Sequence, residues 1–164
     1  MVGREIPLAD SSFACLALLE DETCQLFELM VKKAEDSETS LLLDIILQET
    51  RKHRELLKHL SRILKEAPIV SSQECDMGEW FKQALGLTRA IKAEIQQGMR
   101  VTEAARRLID FEKGIGEEYT TEAHTAARAL VQENQAVRKV LESIAAEEEA
   151  HAEILQLVTR IAKK

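Results

Sequence analysis

Apolar residues recur every three to four positions through most of the chain, and no stretch alternates with period two. That is the spacing of amphipathic α-helices, and it predicts five of them. The first covers roughly 10–36, with Asp10 or Ser11 as N-cap and Phe13, Ala17, Cys24, Phe27 and Val31 as its stripe. The second covers roughly 38–65, with Leu42, Ile45, Ile46, Leu56, Leu57, Leu60 and Leu64 inward. Pro68 and the serine pair after it break the pattern. A third helix over roughly 76–97 carries Trp80, Ala84, Leu87, Ile91 and Ile95 on one face and stops at Gly98. The fourth runs over roughly 101–127, through Val101, Ala105, Leu108, Ile115 and Tyr119. The fifth runs over roughly 132–162, through Val137, Leu141, Ile144, Leu155 and Val158. Four of the five are long, and the 76–97 helix lies between the second and third long ones. The expected fold is all-α, a four-helix bundle with one long crossover that carries the additional helix.

Composition narrows the class. The 164 residues suit one domain over 1–164, and 45% hydrophobic with 31% charged, six Gly and two Pro favours long helices over turn-rich β structure. The net charge of −7, without a basic block, argues against nucleic acid and makes a cation the more natural guest. Cys15, Cys24 and Cys75 form no C-x-x-C pair, so reduced thiols and a cytoplasmic setting are expected. The apolar run at 13–19 lacks the basic flank of a leader and the length of a membrane span, so no membrane is expected.

Four polar residues interrupt the stripes. On a wheel of about 100° per residue, Glu20, His53, Glu112 and His151 each fall among the apolar positions of a different long helix. A buried carboxylate must be neutralised, paired or bound to metal. Glu148 precedes His151 by three and Glu147 by four, both within reach on one helix side. On the second helix Glu49 stands four before His53 and Thr50 three before it. The wheel places Glu49 within about 20° of the stripe centre and Thr50 about 80° off it. An internal repeat reinforces the pattern. Glu20 precedes Phe27 by seven as Glu112 precedes Tyr119, and ETRKHRELL aligns with EEEAHAEIL at the histidines. Carboxylate oxygen with imidazole nitrogen suits iron, manganese or zinc.

In this arrangement the chain resembles the ferritin-like proteins, most closely the rubrerythrin type, over roughly 10–160. That family pattern is Glu, Glu-x-x-His, Glu, Glu-x-x-His on four successive helices. Glu20, His53, Glu112, Glu148 and His151 match five of its six ligands, and Thr50 stands where a bridging Glu belongs. The resemblance implies two iron ions, one with Glu20 and His53, the other with Glu112 and His151, and Glu148 between them. Glu49 is the candidate sixth ligand. The implied activity is a non-haem di-iron oxidoreductase of peroxidase or ferroxidase type, acting on peroxide or oxygen or oxidising ferrous iron. An external electron donor is implied, since a rubredoxin module needs two C-x-x-C pairs, and a homodimer is the default assembly.

Plainer readings stand beside this one. A lone core histidine is more often hydrogen-bonded than ligating, and a run of three glutamates is more often a solvated face. His59 and His124 point away from the apolar faces, and Tyr119 reads as core. Cys24, one turn from Glu20, reads as a small buried residue. The functional alternatives are a non-enzymatic metal-binding module and a metal-free helical scaffold with a degenerate site.

Overall fold

The computed structural model describes residues 12–69, 71–129 and 135–161, with the side chains at 12, 119, 120 and 122–129 left out. The expected cap at Asp10 or Ser11 and the side chains of Tyr119 and His124 lie outside the described residues. Five α-helices account for nearly all of the rest: α1 Ser12–Lys33, α2 Ser37–Ile63, α3 Glu79–Gln96, α4 Val101–Ala129 and α5 Gln135–Ile161. No strand occurs among the described residues, and none of their helices is long and apolar enough to cross a membrane.

Local chemistry sets the helix ends. Asp36 caps α2 by accepting from the Thr39 backbone N–H at 2.7 Å. The N–H groups of Phe13 and Ala14, which have no partner within α1, donate to the Glu66 carboxylate at 3.1 and 2.9 Å. After α3 the backbone turns left-handed at Gly98, φ 110°, and the Met99 N–H returns to the Glu94 carbonyl. This is the stop expected at that glycine. Lys65 makes the same turn after α2 at φ 52°, with the Glu66 N–H on the Ser61 carbonyl.

α1 packs against α2, α4 against α5, and α2 lies beside α5; α3 rests on α1 and touches α4. α1 is therefore covered on several sides, and its buried residues (Phe13, Leu16, Leu19, Leu26, Phe27, Met30) spread round the helix. The segment between α2 and α3 is fastened to α1 by a Cys15–Cys75 disulfide. Free thiols were the expectation. Sixty positions separate the two cysteines, so only the return of the α2–α3 segment to α1 brings them together.

Among the described residues, the buried hydrophobic ones form two clusters. One contains Leu16, Leu57, Leu60, Phe81, Ile115 and Ile144. The other contains Phe27, Ile46, Ile91, Leu108, Leu155 and Val158. On α1, α2, α4 and α5 the chain passes from one cluster to the other, and at each passage a buried polar residue intervenes: Glu20, His53, Glu112, and Glu148 with His151. The core is thus divided by one polar layer.

On α2 the inward face differs from the expected stripe. Leu43, Ile46, Leu47, Thr50, His53, Leu57 and Leu60 are buried, whereas Ile45 is 41% exposed. α2 carries more apolar residues than its core face uses, Leu41 and Ile63 among them. A stripe averaged over all of them is rotated away from the true inward direction. Thr50, expected off the stripe, is inside.

Candidate metal centre

The polar layer gathers Glu20 from α1, His53 and Thr50 from α2, Glu112 from α4, and Glu148 and His151 from α5, all buried. His53 Nδ1 lies 2.8 Å from Glu148 Oε1 and 3.9 Å from Glu20 Oε2. His151 Nδ1 lies 3.4 Å from Glu112 Oε2 and 3.4 Å from Glu148 Oε2. Glu148 therefore turns one oxygen to each histidine. The result is two three-residue groups, Glu20–His53–Glu148 and Glu112–Glu148–His151, with ligand atoms in each within 4.8 Å of one another. The imidazoles stack with centroids 5.7 Å apart.

The far edges of the rings are held from across the bundle. His53 Nε2 lies 2.7 Å from Glu147 Oε2 on α5, and His151 Nε2 lies 2.7 Å from Glu49 Oε2 on α2. A carboxylate accepts, so each Nε2 carries the hydrogen it donates. In the neutral ring that leaves the Nδ1 lone pair facing the buried carboxylates. Neither Nδ1 has a hydrogen-bond partner, nor do Glu112 Oε1 and Glu148 Oε1. His53 Nδ1 and Glu148 Oε1 lie 2.8 Å apart, an ion pair when the ring is protonated. A cation there would satisfy these orphaned groups together. The donors, two imidazole nitrogens and three carboxylates, fit iron, manganese or zinc.

Protons compete for the same lone pairs. Burial works against a charged His151, but the Glu112 and Glu148 carboxylates outweigh it and push its pKa up to about 11. His53 is raised too, burial again opposing and Glu148 and Glu20 prevailing. Burial, with Glu148 beside it, drives Glu112 well above the carboxylate range. Glu148 is held well below that range despite burial, by the Glu112 carboxyl and the two imidazoles beside it. Cys24, raised to about 12 by burial, is an unreactive core thiol.

Five of the expected ligands converge. Glu49 does not join either group; it sits half-exposed at the edge and anchors His151. Its i−4 position swings it off the inward face that Thr50 and His53 share. Glu147, read as within reach of His151, instead crosses to His53 and also accepts from Lys52 Nζ at 2.6 Å. The repeat marks the two as equivalent positions, since Glu49 and Glu147 each stand four before a histidine, but the choice of histidine is made only where α2 meets α5. Thr50, matching Glu148 in the repeat, donates its hydroxyl to the Ile46 carbonyl at 2.8 Å.

Comparison of the chain with protein-family models, with curated proteins and with solved structures finds no match.

Proposed function

We propose that this chain is a dinuclear metal protein of ferritin-like, rubrerythrin type. In this reading α1, α2, α4 and α5 form the four-helix bundle, and α3 belongs to the crossover. The observation that carries the proposal is the sharing of Glu148 between two buried Glu–His groups whose Nδ1 atoms lack hydrogen-bond partners. Glu20, His53 and Glu148 would hold one ion, and Glu112, His151 and Glu148 the other. An iron pair there would supply ferrous–ferric cycling toward peroxide or oxygen, with electrons from an external donor. The protein's part is positional. Glu49 and Glu147 fix the tautomer and direction of the rings, and the two apolar clusters keep the layer dry. A homodimeric assembly belongs to the proposal through the resemblance alone.

Thr50 favours a second reading, a metal-binding module without turnover, because it withholds the sixth, charged ligand. Metal analysis after loading with ferrous iron, together with ferrous-oxidation and peroxide-consumption assays, separates the two. Two ions per chain with turnover supports the oxidoreductase. Two ions without turnover supports the module, and no bound metal excludes both. Glu148→Ala should abolish binding at both positions, because no other described residue serves both groups.

A further inference from the structure

We propose that the side of the centre occupied by Thr50 takes a small monocarboxylate from solution, of the formate or acetate class. The inference rests on the dinuclear reading above.

The site has an approximate internal two-fold relation. Glu20 is to His53 as Glu112 is to His151. Glu49 reaches His151 at 2.7 Å as Glu147 reaches His53 at 2.7 Å. The exchange of Glu49 and Glu147 fixes the register between α2 and α5. In that register the counterpart of Glu148, three before its histidine, is Thr50. Thr50 is buried, as Glu148 is, so both helices turn the same position inward.

The relation fails only in chemistry. Glu148 carries a carboxylate two carbons beyond Cβ, whereas Thr50 ends at its hydroxyl and methyl. Its hydroxyl hydrogen is already given to Ile46. The missing group has the size and planarity of a small carboxylate. Charge points the same way. Two divalent cations bring four positive charges, and Glu20, Glu112 and Glu148 supply three negative ones with neutral histidines. The remaining positive charge lies in a layer between two apolar clusters, where an unbalanced charge is costly. Glu49 and Glu147 stand at the hydrated edge, and Glu147 already faces Lys52. A monoanion with two oxygens meets both needs, whereas a neutral ligand leaves the charge unbalanced and a cation adds to it.

The test uses the full chain loaded with Co²⁺, titrated with formate and acetate and followed by the visible absorption of the metal. Wild type should show a saturable shift with both anions, one per cobalt pair. Thr50→Val should keep the response, since valine matches threonine in size and is likewise uncharged. Thr50→Glu should lose it while still binding two Co²⁺. Thermal melting of wild type gives an independent reading: acetate should raise the melting temperature of the loaded protein and leave that of the metal-free protein unchanged. Two bound Co²⁺ with a spectrum and melting temperature indifferent to carboxylate would overturn the proposal. Fewer than two bound Co²⁺ with or without carboxylate would remove the dinuclear reading and this inference with it.

Discussion

Glu49 and His151 are 2.7 Å apart on different helices and 102 positions apart in sequence. With the matching contact between Glu147 and His53, this makes a reciprocal brace between α2 and α5. Each carboxylate sits four before one histidine and holds the other.

The brace predicts that Glu49→Ala and Glu147→Ala weaken metal binding without changing its stoichiometry. Loss of such an orienting partner ordinarily costs about 10- to 100-fold in affinity. Competitive titration with Zn²⁺ or Co²⁺ measures it. A drop to one ion in Glu49→Ala would instead make Glu49 a ligand.

Proton competition sets a pH dependence. The His151 pKa is raised to about 11, so its contribution to metal-free stability is full below the ordinary 6.5 and fades as pH climbs toward 11. Glu112 is raised from 4.5, so its contribution also fades with rising pH. Glu148 is lowered, so its contribution is present above 4.5 and is lost as pH falls toward its folded value. The chelator-treated protein should therefore lose thermal stability as pH rises above 6.5. Metal affinity should move the opposite way and strengthen with pH, because binding displaces protons from the histidines and Glu112. Melting curves and metal titrations over one pH series check both signs.

Two glycines of α4 should respond oppositely to alanine. A Cβ on Gly114 meets nothing within 4 Å, so Gly114→Ala should stabilise by about 1 kcal/mol through helix propensity. A Cβ on Gly116 would lie 3.2 Å from the Ala145 carbonyl oxygen and 3.4 Å from Glu148 Cβ. Gly116→Ala should push α5 outward at Glu148. Overpacking of about 1–3 kcal/mol then exceeds the propensity gain, and metal affinity falls with stability. Denaturant melts and metal titrations of the two variants form the comparison.

The Cys15–Cys75 disulfide spans 60 positions. A loop of that length gives an entropic stabilisation of about 4 kcal/mol at most. Cys15→Ser with Cys75→Ser should lower stability by about 2–4 kcal/mol. Reducing agent should lower the wild-type melting temperature and leave the variant's unchanged. A wild type indifferent to reductant, with two titratable thiols more than the variant, would contradict the pairing.

The sequence alone determined the helices and the polar layer. Periodicity is a local property, so the five helices, the stop at Gly98 and the inward settings of Glu20, His53, Glu112, Glu148 and His151 were all readable from the order of residues. The rotation of α2 was not, because Leu41, Ile45 and Ile63 are apolar yet exposed, and only packing against α1 and α5 decides which of several apolar faces turns inward. That rotation exchanged Thr50 and Glu49 between core and edge. The crossed Glu–His contacts and the Cys15–Cys75 link likewise join residues from 60 to 102 positions apart. No local pattern encodes such pairs, and they arise only when the helices dock.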